Sequence, residues 1–284
     1  MHRPPKFPPS RKKSATTDAP LADSAVTLYL CRHGETTHNA AGLLQGHLDT
    51  SLNATGRSQA EALGAELRTR ADAGLRFCST VYSSDLGRAS ETAKASMRAL
   101  GGEEGFTLST TPQLRERGLG RFEGRTPADS KGTDIDSWRR FQRGQTVEGV
   151  EDTHALEKRV VLALRAIAAA HPGDHVLVFS HGGTIGSGLE QLLPRCVCHL
   201  PRSCDPLIQP LTALRPSARR HAIPRITNCS ISSVSLEPRD GGRCVAHTLS
   251  EDAHVAEFAM CLFSHVDQAA ASPEPVVTSK STMR

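Results

Sequence analysis

Residues 26–39 read Val-Thr-Leu-Tyr-Leu-Cys-Arg-His-Gly-Glu-Thr-Thr-His-Asn, a short apolar run that stops at a group of polar and charged side chains. The run itself, 26–31, is rich in β-forming residues, which is typical of a strand buried in a parallel sheet. It ends at Arg32, His33 and Gly34. Because ligands of open α/β sheets lie beyond the carboxyl ends of the strands, we expect this cation, imidazole and glycine at the functional edge.

A second stretch repeats this arrangement. Residues 175–179 predict another buried strand, and Ser-His-Gly-Gly follows at 180–183. Two strands that each deliver a histidine to the same edge are hard to explain by packing alone. We therefore interpret His33 and His181 as parts of one active site.

Strand and helix signals alternate along the chain, which favours a three-layer α/β/α sandwich with a mostly parallel central sheet. Helix signals begin near Asn53, and Asp85 is expected to cap a further helix that carries Arg88. The glycine- and arginine-rich segment 112–149 interrupts the alternation and is expected to form a small cap. The other predicted strands are 77–82, 107–109, 230–236 and 243–249, and the predicted helices include 53–71, 136–142, 156–168 and 184–193.

The segments around this domain have the composition of disordered chain. Residues 1–24 mix prolines with basic and small polar residues, and residues 272–284 are polar again, so both predict disordered tails. The domain between them is expected at 25–260. Within it, the proline-dense residues 194–224 show no period and predict a long insertion.

Composition and charge restrict the expected partners. A formal net charge of +4 is mild for 284 residues, so nucleic acid is not favoured as a partner beyond the basic first residues. No apolar run reaches transmembrane length, so no membrane partner is expected. The eight cysteines are scattered through a chain without a secretory h-region, which predicts reduced thiols in a cytoplasmic protein.

Arg88 is the most informative charge near the predicted site. It falls in the first turn of a helix, where a cation opposes the helix dipole unless it faces an anion that the helix end also attracts. A solvated surface arginine is the alternative. Guanidinium groups bind phosphate oxygens in a bidentate way, and Arg32 adds a second such group beside His33.

A metal site is the main rival to an anion pocket. Two arginines close to the donors would repel a divalent cation, and no His-Glu-x-x-His spacing occurs, so we expect neither a metal nor a cofactor. A zinc site within the insertion is a further alternative, although no second Cys-x-x-Cys pair accompanies its cysteines. The donors at the active edge are His33, His38, His47, His181 and Glu35, and those in the insertion are Cys196, Cys198, His199 and Cys204.

The remaining interpretation is an anion pocket around one nucleophilic histidine. A neutral ring nitrogen would attack phosphorus and form phosphohistidine, which water then hydrolyses. The surrounding cations would stabilise the negative charge of the transition state. The expected partner is a small phosphorylated metabolite.

At these residues the sequence resembles the histidine phosphatase superfamily, which includes phosphoglycerate mutases and the fructose-2,6-bisphosphatase domain. The likeness covers residues 26–256 and rests on an ordered set of motifs. They are Arg-His-Gly-Glu-Thr at 32–36 with Asn39, Leu-Gln-Gly-His-Leu-Asp at 44–49, Tyr-Ser-Ser-Asp-Leu-Gly-Arg-Ala at 82–89, Leu-Arg-Glu at 114–116, Phe-Glu-Gly at 122–124, Ser-His-Gly-Gly at 180–183, Asn-Cys-Ser-Ile-Ser at 228–232 and Glu-Asp-Ala-His at 251–254.

This resemblance implies a role for each matching residue. His33 is implied to be the phosphorylated nucleophile and Glu116 the proton donor to the leaving oxygen, although from the residues alone Glu116 could equally belong to a solvated charge run. Gln45 and Gly46 resemble a loop whose backbone touches the phosphate of the substrate. The residues implied to bind the phosphoryl group are Arg32, Arg88 and His181, with Asn39 assisting and Gly182 beside them.

Two features conflict over the subclass that the resemblance implies. Gly183 follows His-Gly, as in phosphatases, whereas mutases usually carry Asn there. Yet Trp138-Arg139-Arg140 resembles the arginine pair with which mutases hold a substrate carboxylate, although the proline run that follows it in mutases is missing. We therefore expect a metal-independent phosphomonoesterase, with a phosphoglycerate-type mutase and a catalytically inactive scaffold as alternatives. The intact catalytic set argues against the scaffold.

Overall fold

A computed structural model of the chain describes residues 23–102, 105–193, 226–237 and 243–252. Within these residues six strands form one sheet, and their spatial order differs from their order in the chain. The strands are β1 (Val26–Arg32), β2 (Thr80–Ser84), β3 (Thr107–Thr111), β4 (His175–Ser180), β5 (Ile231–Leu236) and β6 (Cys244–Glu251), arranged β3-β2-β4-β1-β5-β6.

The register of the two central strands places the two predicted active-site histidines side by side. Strands β1 and β4 are parallel, and Arg32 lies opposite Ser180 at their carboxyl ends. His33 and His181 are the next residues of the two strands and therefore leave the sheet at the same edge. Strands β2 and β3 extend the parallel part, whereas β5 and β6 are antiparallel to their neighbours, so the mostly parallel sheet is confirmed.

Helices cover both faces of the sheet, which confirms the three-layer architecture. Alternate residues of a strand point to opposite faces. In β1, Leu28 and Leu30 belong to one apolar cluster, and Tyr29 and Cys31 belong to another. The helices are α1 (Thr37–Ala40), α2 (Ala54–Asp72), α3 (Gly87–Leu100), α4 (Pro127–Thr133), α5 (Ile135–Gln142), α6 (Thr153–Ala170) and α7 (Gly182–Leu192), of which α6 and α7 pack in the first cluster and α2 and α3 in the second.

The cap predicted between strands β3 and β4 has a small apolar core of its own. Trp138 and Phe141 of α5 pack against Phe122, with ring centroids 5.4–5.5 Å apart. Helix α4 was not expected from the sequence, yet its start carries a local signal. Thr126 and Asp129 form a capping box around a proline in the first turn.

The expected cap of helix α3 is wrong. The residue at the N-cap is Leu86, which makes no capping hydrogen bond through its side chain. Both carboxylate oxygens of Asp85 instead accept hydrogen bonds from Arg115, at 2.7 and 2.6 Å. A bidentate charged pair of this kind is stronger than a single neutral cap. Asp49, from a distant loop, accepts the hydrogen bond of the Gly87 N–H at 2.7 Å.

Smaller differences concern where elements begin and end. Strand β2 starts at Thr80, because Phe77 makes only an isolated bridge to His175. Helix α7 begins two residues earlier than predicted, directly after His181. The predictions for the insertion 194–224, for the tail 272–284 and for residues 1–22 of the other tail lie outside the described residues. Among the helices that the structure describes, none is both long and apolar enough to cross a membrane.

Candidate active site

His33 is buried at the carboxyl end of β1, with 2% of its surface exposed. Its Nδ1 lies 2.7 Å from the carbonyl oxygen of Gly34. A carbonyl oxygen only accepts, so Nδ1 carries the hydrogen of the neutral ring and donates it. The other nitrogen, Nε2, therefore keeps its lone pair, which is the form that a nucleophile needs.

The surroundings of His33 hold its ring in the neutral form. Burial lowers the pKa of His33 well below its ordinary value, and the charges of Arg32 and Arg88 lower it further, while the Gly34 hydrogen bond opposes the shift. The imidazole is therefore unprotonated at neutral pH. Free imidazoles titrate near pH 6.5, so the lowered pKa keeps His33 unprotonated, and therefore nucleophilic, at more acidic pH than a free imidazole.

His181 faces His33, with the two ring centroids 5.1 Å apart. It is fully buried at the N-cap of α7, and burial, followed by the charge of Arg88, lowers its pKa well below the ordinary value. Within the described part of the chain, neither ring nitrogen has a hydrogen-bond partner. Because an unpaired buried polar group costs about 1–3 kcal/mol, these atoms fit a site completed by a ligand's oxygens.

Arg88 lies in the first turn of α3, as predicted, and is fully buried rather than solvated. Its Nη1 donates to the carbonyl of Leu48 at 2.7 Å and its Nη2 donates to the carbonyl of Gly46 at 2.8 Å. Its Nε has no hydrogen-bond partner among the described residues. Burial lowers the pKa of Arg88 to about 10, so the guanidinium stays charged at neutral pH.

Arg32 and Gly182 lie against each other on the same edge. The Nη1 of Arg32 donates to the carbonyl of Ile226 at 2.6 Å, which fixes the guanidinium across the start of α7. A Cβ atom at Gly182 would lie 3.4 Å from Arg32 Nε. Helix α7 thus begins beside two cations and two imidazoles, a combination that favours an anion.

Glu116 lies at the site rather than on a solvated face. Its Oε2 accepts the backbone N–H of Gly183 at 3.0 Å, and its Oε1 accepts the backbone N–H of Arg117 at 2.8 Å and the hydroxyl of Thr184 at 3.3 Å. A Cβ atom at Gly183 would lie 2.6 Å from Glu116 Oε1, so the second glycine after His181 makes room for this carboxylate.

Arg159 on α6 holds the backbone of the segment that carries Glu116, a role that no sequence pattern predicted. It donates to the carbonyls of Gln113, Arg115 and Glu116 at 2.8–3.0 Å. Its remaining N–H groups bind both carboxylate oxygens of Glu151, at 2.6 and 2.9 Å. Burial raises the pKa of Glu151, but the hydrogen bonds from Arg159 and Gly118 outweigh it, so the net pKa is lowered.

The side-chain oxygens of Asn39 and Gln45 accept hydrogen bonds from other residues of the protein. Asn39 Oδ1 accepts from the backbone N–H of Thr36, and Gln45 Oε1 accepts from the hydroxyls of Thr36 and Thr50. Their amide NH₂ ends are therefore the ends suited to an anion.

Gly46 has φ +52°, and a Cβ there would lie 2.2 Å from a Glu123 oxygen, so this loop position requires glycine.

The structure brings every predicted site residue to one edge of the sheet, but the arginine pair of the cap differs. Trp138 is buried in the cap core, whereas Arg139 and Arg140 are exposed. Arg139 lies 3.8 Å from Asp136 of its own helix. The pair therefore lies outside the apolar core of the cap to which Trp138 belongs.

These features define an α/β domain with a neutral, buried imidazole among fixed cations. The family model of the histidine phosphatase superfamily (branch 1) matches residues 28–204. The chain belongs to this superfamily.

Individual relatives agree with this assignment. The chain is 35% identical over 171 residues to phosphoglycerate mutase-like protein 4 of Arabidopsis thaliana, covering 59% of this chain and 71% of that protein. The structure of Bacillus stearothermophilus YhfR superposes with a TM-score of 0.64 at 24% identity, covering 81% of this chain and all of that one. A mycobacterial glucosyl-3-phosphoglycerate phosphatase gives 0.61 at 24% identity over 79% of this chain and 99% of its own. Both structural similarities show the fold alone.

Proposed function

We propose that this protein is a phosphatase that hydrolyses a phosphomonoester through a phosphohistidine at His33. The observation that carries the proposal is the 2.7 Å hydrogen bond from His33 Nδ1 to the Gly34 carbonyl, which leaves the lone pair of the ring on Nε2. The low pKa of the ring keeps that lone pair available. The nucleophile is thus in place before substrate binds.

The first half of the reaction forms the phosphoenzyme. Nε2 of His33 attacks phosphorus as the bond from phosphorus to the ester oxygen breaks, and Glu116 gives its proton to the departing oxygen. Arg32, Arg88 and a ring N–H of His181 donate to the phosphoryl oxygens, where negative charge spreads in the transition state. The alcohol then leaves.

The second half releases phosphate. Water attacks phosphorus, the nitrogen–phosphorus bond breaks, and the carboxylate of Glu116 takes the proton from the water. His33 is neutral again at the end, and Glu116 is protonated for the next cycle. No step requires a metal or an organic cofactor.

The proposed substrate is a small phosphorylated metabolite, and the proposed compartment is the cytoplasm. The pocket presents donors suited to a single phosphoryl group, and the cap lies beside it. The eight cysteines scattered through the sequence support a reducing compartment.

A phosphoglycerate-type mutase is the second candidate, favoured by the name of the Arabidopsis thaliana relative. A mutase must return the phosphoryl group of His33 to a second hydroxyl before water reaches it, and it must hold a substrate carboxylate. In this chain the candidates for holding that carboxylate are Arg139 and Arg140, both exposed on α5.

The deciding experiment follows phosphate release and phosphoryl transfer in the same protein. Nitrophenyl phosphate and a set of sugar and glycerol phosphates are supplied in a chelator, and a bisphosphoglycerate-primed assay with monophosphoglycerate measures transfer. We expect phosphate release that the chelator leaves unchanged and that His33→Ala abolishes. Isomerisation of monophosphoglycerate faster than phosphate release would overturn the phosphatase assignment in favour of a mutase.

A further inference from the structure

The opposite edge of the sheet carries a second cluster of reactive side chains, Cys78, His171 and Asp174. Their donor atoms all lie within 4.8 Å of one another. Cys78 precedes β2, and the other two lie in the turn between α6 and β4. We infer that these three residues form a zinc site that fastens the α6–β4 turn to the start of β2.

Two of the three distances between donor atoms match those around a tetrahedral ion, and the third lies within 4.8 Å. Zinc bonds of about 2.3 Å to sulfur and about 2.0–2.2 Å to nitrogen and oxygen place tetrahedral ligands about 3.6 Å apart for sulfur and nitrogen and about 3.4 Å apart for nitrogen and oxygen. Cys78 Sγ lies 3.4 Å from His171 Nδ1, and Asp174 Oδ2 lies 3.5 Å from the same nitrogen. A thiolate, an imidazole and a carboxylate form a donor set that suits Zn²⁺.

Backbone hydrogen bonds hold the three donors in place independently of any ion. The N–H of Cys78 donates to the carbonyl of His175 at 2.8 Å, and the N–H of Asp174 donates to the carbonyl of His171 at 3.1 Å. The N–H of Thr80 donates to the sulfur of Cys78 at 3.4 Å and orients it. The cluster is therefore preorganised by the sheet register and by the turn.

The second nitrogen of His171 is bonded in the way that a ligating histidine requires. Its Nε2 lies 2.9 Å from the hydroxyl of Tyr82, which can accept the Nε2 hydrogen and leave the Nδ1 lone pair for the ion. His171 also stands at the C-cap of α6, where the negative end of the helix dipole attracts a cation.

Solvent can reach the site from one side. The side chain of His171 is 14% exposed and that of Asp174 is 51% exposed, so an ion can enter past the carboxylate and a water can complete the tetrahedron. Strand β4 runs between Asp174 and His181, a separation of about 23 Å along the extended chain. Binding here stabilises the fold without taking part in the chemistry at His33.

Cobalt(II) tests this site in the reduced full-length protein because a cobalt–thiolate bond gives a near-ultraviolet charge-transfer band. The protein is titrated with Co²⁺ and then with Zn²⁺, in parallel with Cys78→Ser, His171→Gln and the triple variant Cys196→Ser/Cys198→Ser/Cys204→Ser. We expect one equivalent to bind with a thiolate band that survives the triple substitution, disappears in Cys78→Ser and is displaced by Zn²⁺. His154→Gln, an exposed histidine at the other end of α6, should leave it unchanged.

Two further measurements keep the test valid if a ligand variant folds poorly. Tyr82→Phe keeps all three ligands and should weaken Zn²⁺ binding about 10-fold or more. Zn²⁺, but not Mg²⁺, should raise the Tm of the wild type and not that of Asp174→Asn. The absence of a thiolate band in the wild type, or its loss only in the triple variant, would overturn the proposal.

Discussion

At the carboxyl edge of the sheet, neither ring nitrogen of His181 has a hydrogen-bond partner in the described chain, whereas at the opposite edge each ring nitrogen of His171 contacts a neighbouring side chain. The first edge also buries the guanidinium of Arg88 completely. Buried polar atoms without partners destabilise a fold unless something else completes them. The carboxyl edge therefore favours an anionic ligand, whereas at the other edge protein side chains already hold both ring nitrogens of the histidine in place.

The largest expected effect comes from removing the proton donor at the carboxyl edge. Glu116→Gln keeps the shape of the side chain but removes its acidic proton, and general acids contribute about 10²–10⁴-fold. An alkyl phosphate needs that proton because its alkoxide is a poor leaving group, whereas nitrophenolate leaves without help. We expect kcat/KM to fall about 10²–10⁴-fold for the alkyl ester and far less for nitrophenyl phosphate.

The control for this variant is Glu148→Gln, whose side chain is 94% exposed. It should leave both esters unaffected. An equal loss on the two esters in Glu116→Gln would remove Glu116 from the role of acid and point instead to positioning of the neighbouring cations.

A somewhat smaller loss is expected when the buried cation is changed. Arg88→Lys keeps a positive charge but cannot bond both loop carbonyls and the phosphoryl group at once. We expect kcat/KM for nitrophenyl phosphate to fall about 10²–10³-fold, the range for loss of one transition-state donor. Arg98→Lys, exposed in the last turn of the same helix, should change it little. Near-normal activity in Arg88→Lys would show that the phosphoryl group is held elsewhere.

Arg159 affects the carboxyl edge indirectly, because it positions the segment that carries Glu116. Arg159→Leu frees the carbonyls of the segment before Glu116, and a displacement of about 1 Å can cost about 10²-fold in rate. We expect the loss to be larger for the alkyl ester than for nitrophenyl phosphate, as with Glu116→Gln, and partly restored in Arg159→Lys. Lys158→Leu, exposed on the same helix, is the control. Equal losses on both esters would mean that Arg159 supports the fold only.

The smallest effect concerns stability against pH. The pKa values of His33 and His181 are lower in the folded state than in the unfolded chain. Below pH 6.5 the two imidazoles therefore bind protons in the unfolded chain while they remain neutral in the folded protein. Their contribution is therefore complete above pH 6.5 and is lost as pH falls toward the folded values, by about 1.4 kcal/mol per pH unit for each imidazole.

Urea unfolding of the wild type and of His33→Asn/His181→Asn over a pH series measures this slope. In the double variant, the free energy of unfolding should fall less steeply than in the wild type as the pH decreases below about 6.5. The exposed His154→Asn should not. An unchanged slope in the double variant would contradict neutral burial of the two rings.

Much of the site was predictable because its two histidines directly follow two strands that the sequence predicts. The apolar runs of β1 and β4 are local signals, and parallel pairing then brings His33 and His181 together without further information. Arg88 was predictable as well, since a cation in the first turn of a helix conflicts with the helix dipole.

What the sequence did not predict depends on contacts between distant segments. Asp85 has the composition of a helix cap, but Arg115, 30 residues away, binds its carboxylate. Arg159 lies 43 residues from Glu116, and its contacts are with backbone carbonyls, which no residue pattern reveals. The close approach of the Glu116 carboxylate to Gly183 likewise appears only in the folded structure.

The most direct test of the central claim is to trap the phosphoenzyme during turnover of a labelled phosphomonoester. Phosphorus–nitrogen bonds survive alkali and hydrolyse in acid, so quenching in each separates phosphohistidine from a phosphoester. We predict an alkali-stable, acid-labile label that maps to the peptide containing His33 and is absent from His33→Ala. An acid-stable label, a label on another residue, or full activity in His33→Ala would contradict the account.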